Sequence, residues 1–539
     1  MCYSLFFQVF TSVNLLVGGS GLFATITGIN RDAACFLFPL AVMVYAIFGG
    51  IKATFFADWS HTVMIYVIML LSVFTVYTTS DIIGSPKRMH ELLSEAAALH
   101  PVPGNEGGSY LTMKSENGGY IGLLFIGAGF AAAVDSQLFQ KAIAADPVAT
   151  LPGYMLGGLC WFTIPFVLAS TFGLAAAATE HLPSFPTYPE RMTAKQVSDG
   201  MAMPFAAMAL MGDGGAVAIL LMVLMAVTSA MSSETVATAA LVTTDIYKTY
   251  INPEAESRRL VRVSRIVVVA FGLLVSCIAV GFNHAGFSVN YLITAIGIFV
   301  DSAIIPMACT VLWRKQSLLA VVVAPILSSL AAVAAWLTTA YTHEGEVTIT
   351  STSTVYPLVA GNMMSLCGPI VLTPLLTYIK PDNFDWEILK QLKTDRGALE
   401  EEMAAAELQQ YEGGRPGTAE DPHADAEHDV QLDKKLKGAR NRAAIIAAVL
   451  CLCFLILWPI PMYGSGYIFS TGFFTGWVVV VFIWAFFAAI IITGLPIVES
   501  WKDMLNFFRC LSKKKMPDVV EGQRTQDLSV RTPCEMTKA

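Results

Sequence analysis

Long apolar runs, repeated from one end of the chain almost to the other, decide what this sequence can fold into. A helix needs about 20 consecutive apolar residues to cross a hydrocarbon layer, and inside that layer no water satisfies a stray backbone group. Windows of this kind fall at residues 5–28, 34–51, 58–79, 119–141, 149–177, 214–243, 258–282, 287–312, 317–341, 354–379, 442–463 and 470–495. The expected fold class is therefore an all-α membrane protein with about twelve transmembrane helices. Composition points the same way: 55% of the 539 residues are hydrophobic and 14% are charged, whereas soluble domains carry about 25% charged residues.

The charges are segregated between loops. "KTYINPEAESRRLVRVSR" after the sixth window, "WRKQ" after the eighth, "DKKLKGARNR" before the eleventh and "CLSKKK" after the twelfth are basic. "NHAG", "THEGEVTITST" and "PIPMYGSGYIFS", after the seventh, ninth and eleventh, contain no Lys or Arg. Positive charge is retained on the cytoplasmic side, so the basic loops and both termini are expected there. Residues 80–118 form an outside loop with an amphipathic stretch, "PKRMHELLSEAAALHP". Residues 380–441 form a cytoplasmic linker, a helix over "WEILKQLKTDRGALEEEMAAAELQQY" followed by the unstructured "EGGRPGTAEDPHADAEHD". The domain reading is a membrane core over 1–379, the linker, two C-terminal spans within 442–495 and a tail over 496–539.

Several function classes drop out. The net charge of −8 accompanies no basic domain and no aromatic-basic stripe, so no nucleic-acid partner is expected. Cys35, Cys160, Cys277, Cys309 and Cys367 stand singly in apolar windows, and Cys451 and Cys453 are too close for the usual zinc pair, so neither a disulfide framework nor a resident metal is indicated. Gly127, Gly129 and Ala132 fit the letters G-x-G-x-x-A, but a dinucleotide site needs a strand before it and an acidic residue after the next strand, and here the next element is another span. No cofactor and no enzyme activity are expected. The run over 5–27 lacks a basic leader and reads as a retained helix.

Polar residues inside the spans carry the functional signal, because such groups are costly there and face a cavity or a partner. In "MAVTSAMSSETVATAALVTTDIYKTY", residues 225–250, helical geometry places Ser229, Ser232 and Ser233 on one face, with Thr228 and Thr235 flanking it and Glu234 pointing away. Neutral hydroxyl oxygens suit a dehydrated small cation; they equally suit close helix packing, bonded back to their own turn. The window 119–141 has Gly127 and Gly129 mid-helix, followed by Asp135, Ser136 and Gln137, a pattern expected of a helix broken at its glycines around a substrate. Asp58 either lines a cytoplasmic vestibule or caps the third span. Asp301 serves either a polar network or transport. His423, Asp425, His428 and Asp429 offer only a weak metal spacing.

Taken together, "LVGGSGLFATITGINRDAACFLFPLAVMVYAIFGGIKATFFADWSHTVMI", "VDSQLFQKAIAADP", "MAVTSAMSSETVATAALVTTDIYKTYINP" and "KPDNFDWEILKQLK" resemble the sodium:solute symporter family, and within it the urea active transporters. The resemblance covers most of residues 10–395. It implies a LeuT-like core of two inverted five-helix repeats, with a coupling ion, Na⁺ or H⁺, held between the first helix of one repeat and the third of the other. It places Ser229 on a cation ligand, with Ala226 as a carbonyl contributor and Thr228 as the alternative one residue away. It places Asp58 on the cation's inward exit, and Gly127, Gly129, Asp135, Ser136 and Gln137 on the substrate side. It implies urea as the small-molecule partner, with a symporter for a polyamine, choline or proline, or a non-transporting membrane protein, as alternatives; a lipid bilayer and the plasma membrane as setting; and no particular oligomeric state. Residues 1–79 then supply a partial first repeat, 119–312 a complete second one and 317–379 further helices. The helices that would precede residue 1 have no counterpart, so the chain is expected to be an N-terminally truncated version whose start was set at an internal methionine.

Overall fold

The computed structural model describes residues 1–145, 147–383, 385, 422–499 and 501, without the side chains of 52, 147, 148 and 422–435. Among them, eleven helices are long and apolar enough to span, and a bent pair makes a twelfth. In chain order these are α1 (Cys2–Thr27), α2 (Arg31–Ile51) and α3 (Ala53–Thr79); the loop helix α4 (Pro86–Leu99); the bent pair α5 (Gly118–Val134) and α6 (Ser136–Ala144); α7 (Ala149–Thr179), α8 (Ala202–Ile251), α9 (Ser257–Ala285), α10 (Val289–Leu312), α11 (Leu318–Glu344), α12 (Val355–Ile379), α13 (Leu436–Ser465) and α14 (Thr471–Glu499). Each apolar window has become one span. The helix expected over "WEILKQLK" and the tail past 501 lie outside the described residues, and so do the side chains of His423, Asp425, His428 and Asp429. The helix leading into α13 already begins at Pro422, so the last part of the stretch expected to be unstructured is helical.

Local chemistry sets the boundaries. Gly28 closes α1 in the left-handed conformation, φ 72, with its N–H on the Ala24 carbonyl, and the Asn30 side chain accepts from Ala33 N to open α2. The backbone breaks at Gly50, at φ 51 and ψ −147, in the last turn of α2 and three residues before α3 begins. That region is open almost only to glycine, so the chain changes direction there without a loop.

Loops predicted on the outside gather at one end of the bundle. Thr112 pairs with Ile468, His90 Nε2 lies 2.9 Å from the Phe469 carbonyl, and Arg191 reaches the Tyr110 hydroxyl. The Ser198 hydroxyl donates to Ser288, Tyr356 to Asn117, and His284 meets Asp32. The alternation of the spans is thus consistent from α1 to α14. In the same loop layer α4 buries Met89, Leu92, Leu93 and Ala96, its predicted apolar face, and Glu180 holds Arg191 at 2.8 Å, which raises the guanidinium further above its ordinary value.

Beside the packing of α14 on α7 and α3, two packed groups surround the broken span. One joins α1, α2, α3, α8 and α9; the other joins α5, α10, α11 and α12, with α1 against α10 between them. The bent pair α5–α6 lies across this division, because α5 packs on α10 and α12 while α6 packs on α8.

Candidate functional site

The α5–α6 break is a 48° bend, and its place differs from the expectation. Gly127 and Gly129 remain inside regular α-helix. The helix tightens to 3₁₀ over Ala131–Val134, and Asp135 turns extended at φ −69 and ψ 114. The reason lies in capping: the Asp135 carboxylate accepts the Gln137 N–H at 2.9 Å and restarts the chain as α6. Gly127 serves packing instead, since a Cβ there would lie 2.8 Å from Asn362 Cβ, while Gly129 is exposed with open space beside it.

Once α6 restarts, Gln137, Gln140 and Lys141 stand at i, i+3 and i+4 and share the face turned to α8. On α8 the helical repeat sorts the polar residues into two flanks. Ser229 and Ser233, one turn apart, face α3: Ser229 Oγ donates to Asp58 Oδ1 at 2.5 Å and Ser233 Oγ to Asp58 Oδ2 at 3.2 Å. Lys141 Nζ completes this group, 2.7 Å from Asp58 Oδ2 and 2.8 Å from Ser233 Oγ, with the Phe55 ring 5.8 Å away. Neither charge is sealed off, since the side chains retain 24% and 21% of their exposure.

The other flank of α8 is neutral apart from Glu234 and is tied to α1. Gln137 Nε2 donates to Glu234 Oε1 at 3.0 Å, Gln140 Nε2 to the Ala237 carbonyl at 2.9 Å, and Thr238 Oγ1 to Gln8 Oε1 at 2.8 Å. Gln8 in turn donates to Ser136. Glu234 is almost fully buried and its Oε2 has no hydrogen-bond partner. One short helix therefore contacts a charged oxygen cluster through Lys141 and a buried amide–carboxylate cluster through Gln137.

Several expected positions fall outside these clusters. The Thr228 hydroxyl bonds back to Leu224 O at 2.7 Å; its carbonyl accepts from Tyr45 OH at 3.0 Å. Ser232 shares the serine face in projection, but its hydroxyl bonds to Ser229 O, and Thr235 bonds to Met231 O. Ala226 is exposed on an α-helical stretch. Asp58 is not a cap: Gly50 starts α3 near Ala53, so Asp58 sits past the first turn, and its oxygens are occupied by Ser229, Ser233 and Lys141. Lys141, Gln8, Gln140 and Thr238 were not anticipated. A lysine four positions after a candidate substrate glutamine was a signal for Lys141; the contact of Gln8 with Thr238, across the bundle, left no local trace.

A helical membrane bundle with a broken span laid against a hydroxyl-bearing helix is the arrangement used by secondary carriers of small solutes. The particular family follows from sequence: a model described as "Sodium:solute symporter family" matches residues 1–318, and the chain belongs to that family, whose fold is LeuT-like. The chain is 39% identical to the urea active transporter of Saccharomyces cerevisiae over 93% of its own length and 74% of the relative's. It is 39% identical to a probable urea active transporter of Schizosaccharomyces pombe over 94% and 74%, and 35% identical to a urea-proton symporter of Oryza sativa subsp. japonica over 93% and 67%.

Proposed function

We propose that this chain is a secondary active transporter, an integral membrane protein that takes up urea together with a cation by alternating access. Similarity to urea active transporters over almost the whole chain carries the reading. The site geometry adds a division of labour. Asp58, Ser229 and Ser233 present a carboxylate and two hydroxyls to a cation, Na⁺ or H⁺, in the position from which it leaves inward. Gln137, Glu234, Ser136 and Gln140 present amide donors, a carboxylate and a hydroxyl, the complement of urea, which offers one carbonyl oxygen and four N–H groups.

The ammonium of Lys141 already occupies Asp58 Oδ2 and Ser233 Oγ. A cation held by those oxygens therefore competes with it. The rice relative's description as a urea-proton symporter favours H⁺ as the coupling ion. The plasma membrane, with both termini cytoplasmic, fits the retention of basic loops on one side. The test is uptake of labelled urea by the full chain in cells lacking other urea carriers, with proline, choline and a polyamine as competitors. Accumulation above the bath level, blocked by excess urea and not by the others, supports the reading; simple equilibration, or displacement by those solutes, overturns it.

A further inference from the structure

A second buried acid lies apart from both clusters. Asp301 opens a 3₁₀ turn, Asp301–Ala303, that interrupts α10; it is fully buried, and neither carboxylate oxygen has a hydrogen-bond partner. The Asn362 carbonyl oxygen on α12 is also buried without a donor. Its orientation is fixed, because Nδ2 donates to Thr294 O at 2.9 Å and Leu358 O at 2.8 Å; a flipped amide would set its oxygen against two carbonyls. The two sets of orphan oxygens meet over the bare Cα of Gly297, where an added Cβ would lie 2.7 Å from Asp301 Oδ2 and also against Asn362 Oδ1.

Nothing nearby compensates an ionised Asp301. The turn packs on α5, α10, α11 and α12, and the only other charge-bearing side chains on these elements are His343 and Glu344 in the last turn of α11. They lie roughly 21 Å along the helix from Ser329, the α11 residue bonded to Ser302, at 1.5 Å rise per residue. The other titratable groups on these elements are tyrosines and cysteines, which carry no positive charge in any protonation state. Tyr291 is engaged by Thr352, Cys309 and Cys367 are thiols, Tyr120, Tyr341, Tyr356 and Tyr378 sit toward helix ends, and Tyr3 of α1 reaches Ser329. A buried carboxylate with neither donor nor counter-ion costs several kcal/mol. A proton on Asp301 removes that charge and supplies a donor beside the orphan Asn362 Oδ1.

We infer that Asp301 and Asn362 form a proton-binding site, separate from the Asp58 cluster, whose proton exchanges with water during the transport cycle. The mechanical link is Gly127, which rests the broken helix on Asn362 and Met363. Movement of α5 along α12 therefore disturbs the acceptor of the Asp301 proton. This rests on the reading of the chain as a urea symporter.

The test uses the full chain in proteoliposomes with an inward proton gradient. Wild type is expected to concentrate labelled urea, and Asp301→Asn to bring it only to the bath level. In parallel, wild type is treated with dicyclohexylcarbodiimide, which modifies protonated carboxyls in apolar surroundings. Mass spectrometry of the Asp301 peptide should show an adduct that increases as pH falls and during urea turnover. Undiminished concentration by Asp301→Asn overturns the inference. So does an Asp301 peptide unmodified at every pH, or a sodium gradient that drives wild type but not the variant, which makes the site a sodium site. If Asp301→Asn fails to fold, the labelling of wild type decides. If wild type concentrates urea under no gradient, the symporter reading fails, while the labelling still reports whether Asp301 carries an exchangeable proton.

Discussion

Lys141 supplies the sharpest prediction, because its sign is opposite to the ordinary effect of removing a binding-site residue. Its ammonium makes a charge-assisted contact of 2.7 Å with Asp58 and a second bond of 2.8 Å to Ser233. A coupling cation seated on the same oxygens has to displace it. Hydrogen bonds to charged groups contribute about 1.5–3 kcal/mol. The pair keeps between a fifth and a quarter of its exposure, so the lower part of that range applies, about 1.5–2 kcal/mol. Lys141→Gln should therefore tighten the apparent cation affinity roughly ten- to thirtyfold. The maximal rate should fall, since the tethered charge that helps to expel the ion is gone. Lys141→Arg keeps the competitor and should leave affinity near wild type. Asp58→Asn removes the anion and should weaken the cation. The assay is initial urea uptake against cation concentration, Na⁺ at fixed pH and H⁺ at fixed Na⁺. Weaker cation affinity in Lys141→Gln would refute competition and make Lys141 a structural partner of Asp58.

Three further outcomes follow from the same contacts. Ser229→Ala loses the 2.5 Å bond to Asp58 and should weaken the cation by about 1–2 kcal/mol, roughly five- to thirtyfold, in the same uptake titration. Gln137→Leu leaves both Glu234 oxygens without a donor in a buried setting; unfolding measurements in detergent should show a loss of about 1–3 kcal/mol, and the urea half-saturation concentration should rise. Gly50→Ala forces a Cβ into a glycine conformation at the α2–α3 junction and should cost about 1–3 kcal/mol in the same unfolding measurement, with little change in urea affinity among the molecules that fold.

The spans were legible because apolar length is a one-dimensional property, and every spanning helix lies where a window falls. The polar face of α8 was legible for a similar reason: Ser229 and Ser233 are one helical turn apart whatever surrounds them. What they face was another matter. Asp58 left a vestibule lining and a helix cap both open because it seemed to open a span, and only the backbone conformation of Gly50 moves the start of α3 ahead of it. The sequence pattern places the break in α5–α6 at Gly127 and Gly129, where freed backbone groups would face a substrate. The missing Cβ of Gly127 instead admits close contact with α12, and Asp135 restarts the helix by capping. Lys141 sits near a span end, where a lysine ordinarily reaches toward the membrane surface, so its inward contact depends on the 48° bend.

The bend also explains how two unlike ligands come to depend on each other. Within α6, Gln137 and Lys141 are one turn apart on the same face, and the segment runs only from Ser136 to Ala144. It behaves as a short rigid lever, with the Asp135 joint at one end. Rotation that lifts Lys141 from Asp58 must carry Gln137 relative to Glu234, because a single helical turn does not stretch. On the proposed assignment, cation binding at Asp58 and urea binding beside Gln137 thus report on the orientation of one element. Linkage then requires equal coupling in both directions: whatever factor urea contributes to cation affinity, the cation contributes to urea affinity. Lys141→Gln should shrink that factor, because α6 loses its hold on the cation side while Gln137 keeps its contact with Glu234.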